Sequence, residues 1–152
     1  MLHRNAARRA MMLHATAVVR DGAAVLLTGP SGAGKSDMAL RLIDRGWGLI
    51  ADDQVLLGAL DGALIASSPE RIRGLIEVRG VGIETVEAAA PAPVVLAVAL
   101  GPETERLPEV AFGTWLGVQV PLLTLDPHPA SAPIKLDYAF ARARLALRPA
   151  LR

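Results

Sequence analysis

The chain has 152 residues, of which 52% are hydrophobic and 20% charged, and its net charge is +1. That is enough for one domain with a proper core, too little for two, and unlike the composition of a disordered chain. Near-neutrality argues against a broad electrostatic nucleic-acid surface, and the absence of cysteine excludes disulfides, cysteine zinc sites and thiol catalysis and is compatible with the cytoplasm.

Arg4, Arg8 and Arg9 before Ala10-Met11-Met12-Leu13 imitate a signal sequence only in outline. The apolar stretch is short, His14 interrupts it, and no small-residue cleavage site follows. Residues 1–10 are therefore expected to form a flexible leader and residues 11–152 a single domain. Residues 14–19 and 23–28 read as two strands joined through Asp21-Gly22, a hairpin signal. A helix with apolar spacing follows over 37–45, closed by Gly46 in a left-handed conformation. Trp47–Ala51 reads as a buried strand, and a second hairpin across Asp61-Gly62 pairs Val55–Leu60 with Ala63–Ser67. Residues 69–83 are loop and strand around Gly74, Gly80 and Gly82. Val94–Leu100 is a core strand, far short of the about 20 apolar residues that span a bilayer. Residues 101–113 are expected to be a loop, Trp115–Leu125 extended, and 134–148 a final helix after Pro127, Pro129 and Pro133. Helices interspersed with hairpins predict an α/β fold with a mixed sheet.

Between the second strand and the first helix lies Gly29-Pro30-Ser31-Gly32-Ala33-Gly34-Lys35-Ser36, a complete G-x-x-x-x-G-K-S phosphate-binding loop. Its glycines turn consecutive backbone N–H groups toward one anion. Lys35, expected in an exposed loop, adds charge for the β- and γ-phosphates, and Ser36 offers a hydroxyl to Mg²⁺ where the helix begins. Asp52 and Asp53 follow the next strand. Two adjacent carboxylates repel, and a divalent cation or a shared proton relieves them. In a phosphotransferase one such group supports Mg²⁺ and the other takes the proton of an attacking hydroxyl. In Leu75–Ile83, alternation places Glu77 and Arg79 on one strand face, where they suit a metal and a phosphoryl oxygen. By itself such a pair is more often a surface ion pair. His14 alone at a strand start reads as structural or exposed, and Arg106, in a loop among acids, as a solvated charge. His3 and His128 make no metal site with His14.

The run Gly29–Val55, followed by Leu75–Ile83, closely resembles the catalytic domain of HPr kinase/phosphorylase. These are bacterial serine kinases of a phosphocarrier protein, with a nucleotide fold related to that of phosphoenolpyruvate carboxykinase. The shared pattern is a helix ending in Arg45-Gly46, a strand leading to Ala51-Asp52-Asp53, and Glu77–Ile83, and the likeness spans about residues 13–126. It implies ATP and Mg²⁺ as cofactors and an HPr-type phosphocarrier as substrate. Asp53 falls on the family's general base with Asp52 as its electrostatic partner, and Lys35, His14, Arg79 and Arg106 fall on further catalytic positions. Ser36, Glu77 and Asp52 fall on the metal side. The resemblance also implies a cytoplasmic homo-oligomer.

The chain looks like a short form, with no family N-terminal domain ahead of it. The family's Arg-rich segment tied to dephosphorylation corresponds to Asp126-Pro127-His128-Pro129-Ala130-Ser131, which keeps prolines and lacks both arginines. Weak or absent phosphorylase activity is therefore expected. Two other readings stay open: a small-metabolite kinase of the shikimate-kinase kind, although no Arg-rich lid lies between 80 and 135, and a nucleotide sensor without catalysis.

Overall fold

A computed structural model of the chain describes residues 9–147. The expected leader lies outside the described residues except for Arg9 and Ala10, which already belong to the first strand. The elements begin with β1 (Arg9–Leu13), β2 (Thr16–Arg20), β3 (Ala23–Thr28), α1 (Lys35–Asp44), β4 (Gly48–Ala51), β5 (Val55–Leu60) and β6 (Ala63–Ser67). After a 3-10 turn at Glu70–Ile72 come β7 (Leu75–Val78), β8 (Gly82–Thr85), β9 (Ala92–Leu100), β10 (Ala111–Trp115), β11 (Val118–Leu125) and α2 (Ala132–Leu147).

Nine strands form one mixed sheet in the order β1-β5-β6-β9-β3-β2-β4, with β11 also on β9 and carrying β10; β7 and β8 form a separate hairpin. The pairs β3·β9 and β9·β11 are parallel, so three carboxyl ends open on one edge. β9 forks: Ala92 and Pro93 pair with β6, and Ala97–Leu100 pair with β11. β3 and β9 are covered on both faces, which is why they read as nearly unbroken apolar runs. On one face Val25, Leu27, Val98 and Leu100 pack with Met38 and Leu42 of α1 and Leu136 and Phe140 of α2. On the other, Ala24, Leu26 and Ala97 pack with Ile50, Leu57, Leu64 and Val120 as the sheet curls over itself. Among the described residues, no helix is long and apolar enough to cross a membrane.

Both hairpin turns fall at Asp21-Gly22 and Asp61-Gly62, each pair with positive φ, and Gly46 has φ +100 as expected. Several boundaries differ from the sequence expectation: β2 starts at Thr16 rather than His14, α1 at Lys35 rather than Asp37, β4 at Gly48 rather than Trp47, and β9 at Ala92 rather than Val94. The loop after β9 ends by Ala111, where β10 starts. Trp115–Leu125 is not one extended run, because Leu116-Gly117, with φ of +51 and +78, turns the chain between Trp115, which ends β10, and Val118, which starts the antiparallel β11. Local apolar content hides such a turn because Leu116 is a poor turn residue; here Arg9 Nη2 donates to its carbonyl at 2.7 Å. The final helix begins two residues early, at Ala132.

The far end of α1 is tied to α2 by Asp137. Its carboxylate accepts from Arg45 Nη2 (2.6 Å), Trp47 Nε1 (3.0 Å) and Arg20 Nη1 (3.2 Å). Trp47 meets Phe140 edge-on with centroids 4.7 Å apart, and Arg20 lies 5.0 Å over the Trp47 ring. Truncating Asp137 strands three donors, two of them charged. Asp137→Ala should therefore destabilise the fold by about 2 kcal/mol, whereas Tyr138→Ala, one residue away on an exposed face, should change stability by less than about 0.5 kcal/mol. Urea unfolding measures both, and equal effects would remove Asp137 from its role as a clamp.

Candidate functional site

The phosphate loop leaves β3 at the edge where β9 and β11 also end, the usual place for a ligand on parallel strands. Gly29, at φ +142, has no room for a side chain: a Cβ would come within 3.0 Å of the Ala33 Cβ and 3.2 Å of the Leu100 carbonyl oxygen. Gly34 caps α1 at φ +99, a conformation open to few residues but glycine. The loop opens on a cavity of about 430 Å³ lined by Ser31, Gly32, Lys35, Ser36, Asp53 and Arg79, among others.

Lys35 differs from the expectation of an exposed loop. It is the first residue of α1 and is buried, at 7% exposure. Its Nζ donates to the carbonyls of Gly29 (2.6 Å) and Pro30 (3.0 Å). A buried ammonium needs partners, and the loop's own carbonyls supply them.

The two aspartates occupy opposite environments. Asp52, 7% exposed, accepts on Oδ1 from Ser36 Oγ (2.6 Å) and Thr16 Oγ1 (3.0 Å), and on Oδ2 from the Glu77 backbone N–H (3.0 Å). Asp53 turns the other way, at φ +72, and its side chain is 66% exposed. There the His14 Nε2–H donates to Asp53 Oδ1 at 2.7 Å, since an ionised carboxylate only accepts. A β-bulge near the end of β4 supports this arrangement: Ala17 pairs with Ala51 while Val18 pairs with Leu49. Continuing that register sets Thr16 beside Asp52. Bulges next to sites re-aim side chains in this way.

Glu77 and Arg79 both line the cavity, although β7 ends at Val78 and Arg79 stands in the turn beyond it. Arg106 is not brought to the site: it is exposed in the segment between β9 and β10 and does not line the cavity. Asp126–Ser131, by contrast, does approach the phosphate loop. Pro127 lies against Gly34, 3.8 Å from where its Cβ would stand, and the Pro127 carbonyl accepts from Arg41 Nη2 at 2.8 Å. Beside it, the His128 backbone N–H, and then its ring, hold the Asp126 carboxyl below its ordinary value.

Thr16 is the side chain that sequence reasoning passed over. Its hydroxyl is fully buried and also accepts the Asp53 backbone N–H at 3.2 Å. The available signal was one polar residue opening the apolar run Ala17-Val18-Val19, two positions after His14.

A family model described as the HPr serine kinase C-terminal domain matches residues 5–91. The HPr kinase/phosphorylase of Clostridium botulinum (strain Eklund 17B / Type B) is 52% identical over 71 residues, 47% of this chain and 23% of that protein. That of Clostridium perfringens (strain SM101 / Type A) is 50% identical over 76 residues, 50% of this chain and 25% of that protein. The matched part thus spans about a quarter of the length of these curated relatives. The solved structure of the Hpr(Ser) kinase/phosphatase from Coxiella burnetii superposes with a TM-score of 0.79 at 28% identity, covering 91% of this chain and 93% of that one.

The environments of the two aspartates predict different costs of neutralising them. Asp52→Asn turns an amide N–H toward one of three donors and should destabilise the fold by about 1–3 kcal/mol. Asp53→Asn, at an exposed carboxylate, should stay within about 0.5 kcal/mol. Chemical unfolding of both variants checks this, and the reverse order would mean that Asp52 is not the buried acceptor described.

Proposed function

The chain belongs to the HPr serine kinase C-terminal domain family, and from that premise we propose that it transfers the γ-phosphoryl group of ATP to a serine hydroxyl of an HPr-type phosphocarrier protein. The observation that carries this reading is the division of the acidic pair beside a phosphate loop. One aspartate is buried against the loop serine, and the other is exposed, free to meet a protein substrate and paired with a histidine.

The loop N–H groups and Lys35 hold the phosphates, with the Lys35 ammonium exchanging the Gly29 and Pro30 carbonyls for phosphate oxygens. Magnesium fits the donors present. Ser36 commits its proton to Asp52, which leaves its oxygen lone pairs free, and Glu77 adds a carboxylate at the cavity wall. Such a hard-oxygen set suits an ion that keeps waters and shares substrate phosphates. When bound, the ion neutralises charge on the β- and γ-phosphates. Asp52 holds Ser36 from behind. Asp53 takes the proton of the serine hydroxyl as its oxygen bonds to the γ-phosphorus and the bond to the β-phosphate oxygen breaks. His14 fixes one Asp53 oxygen and leaves the other for the incoming hydroxyl. Arg79 faces the transferring group, whose spread charge a guanidinium meets well.

Incubation with γ-labelled ATP, Mg²⁺ and an HPr-type carrier should place label on a carrier serine, and Asp53→Asn should slow transfer by about 10²-fold or more while nucleotide still binds. Label on a small metabolite, or on nothing, would overturn the assignment. Greater damage from Asp52→Asn at saturating Mg²⁺ would reverse the roles within the pair.

The reverse reaction, attack of inorganic phosphate on phosphoserine, crowds negative charge into one pocket, which arginines relieve best through bidentate contacts. Asp126–Ser131 lies against the loop without an arginine, and Lys135 is turned to Glu103, with Nζ 3.6 Å from Oε2. Phosphorolysis should therefore be much slower than the forward reaction. Pyrophosphate release from serine-phosphorylated carrier and millimolar phosphate measures it, and comparable rates would show that another cation serves.

A further inference from the structure

Thr16 opens β2, two residues after His14, and no part of its side chain reaches solvent. A hydroxyl has one proton. Asp52 Oδ1, at 3.0 Å, can only accept, so the proton goes there. The Asp53 N–H, at 3.2 Å, can only donate, so it meets a hydroxyl lone pair. Both directions are thus fixed, and one hydroxyl bridges the side chain of one aspartate and the backbone of the next. The bridged peptide sits where the chain enters the left-handed conformation of Asp53, at φ +72. That conformation sends Asp53 out to His14 while Asp52 stays inside.

We propose that Thr16 is the positioning residue of the acidic pair, fixing through this two-way bond which aspartate backs the phosphate loop and which faces the accepting hydroxyl. The assignment rests on the kinase reading for its catalytic consequence, but not for its geometry. Valine has the shape of threonine and neither bond, so Thr16→Val unfastens the Asp53 peptide without opening a cavity. Serine keeps the hydroxyl.

Two measurements test it. In phosphoryl transfer, Thr16→Val should lower kcat tenfold or more with the KM for ATP within about twofold of the parent. Thr16→Ser should restore kcat to within about threefold, and adding Thr16→Val to Asp53→Asn should cost little more than Asp53→Asn alone. Independently of activity, the ¹⁵N shift of His14 Nε2 should move in Thr16→Val as it does in Asp53→Asn, and stay at the parent position in Thr16→Ser. Full kcat in Thr16→Val, multiplicative losses in the double variant, or an unmoved His14 signal would overturn the proposal. Should Thr16→Val not fold, Thr16→Ala carries the same comparison with Thr16→Ser. A parent without transfer activity would refute the kinase reading alone, and the His14 signal would still decide the role of Thr16.

Discussion

The buried carboxylate of Asp52 is the point on which the rest of the site depends. Three elements that are not neighbours in sequence each give it one donor: β2 through Thr16, the phosphate-loop helix through Ser36, and β7 through the Glu77 N–H. Because the Asp52 carboxylate is itself buried, each loss strands a polar group there. The three elements are therefore held in one arrangement by the cost of leaving any of them. The sheet order makes this possible. β2 lies between β3, which launches the phosphate loop, and β4, which delivers the aspartates. A carboxylate leaving β4 can then reach both the start of β2 and the first turn of α1.

From that constraint the opposite fate of Asp53 follows. Two adjacent carboxylates cannot share one buried pocket without strong repulsion. With Asp52 committed inward, the chain must turn Asp53 out, and the left-handed conformation does so in one residue. Such a conformation in a residue other than glycine costs about 1–3 kcal/mol, although aspartate tolerates it better than most residues. It persists because its peptide N–H is held by Thr16 and its side chain by His14. An exposed carboxylate is thus placed at the surface by a satisfied interior.

Much of this was legible in the sequence, because local rules and tertiary demands agree there. The Asp-Gly turns, the glycines of the phosphate loop and the apolar runs of β3 and β9 each encode their own conformation. The loop motif and the adjacent aspartates after the next strand do come together at one cavity edge, with Asp52 buried on Ser36 and Asp53 exposed. Three features were hidden for physical reasons. The turn at Leu116-Gly117 has a glycine at its second position but a leucine, a poor turn residue, at its first, whose carbonyl is met by a long-range bond from Arg9. The burial of Lys35 depends on carbonyls five and six residues earlier curling back onto it. Thr16 has no motif at all. Its importance lies in two partners 36 and 37 residues away, and such pairing is a property of the fold.

The walls of the cavity also differ in how firmly they are held. α1 is fastened to the C-terminal part of the chain at two points, by Arg41 on the carbonyl of Pro127, which lies against Gly34, and by Arg45 and Trp47 on Asp137 just past its end. The helix that follows the glycine-rich loop is thereby tied down on its C-terminal half. The opposite wall is the β7–β8 hairpin. Ile76 is buried against α1 and the Glu77 N–H is fixed on Asp52, yet every residue of β8 is exposed, including Ile83, as is Val81 in the turn. One side of this hairpin is held in the core, and the other offers apolar side chains to water. The cavity is thus bounded on one side by a helix tied down to the C-terminal part of the chain and on the other by a hairpin only half committed to the core.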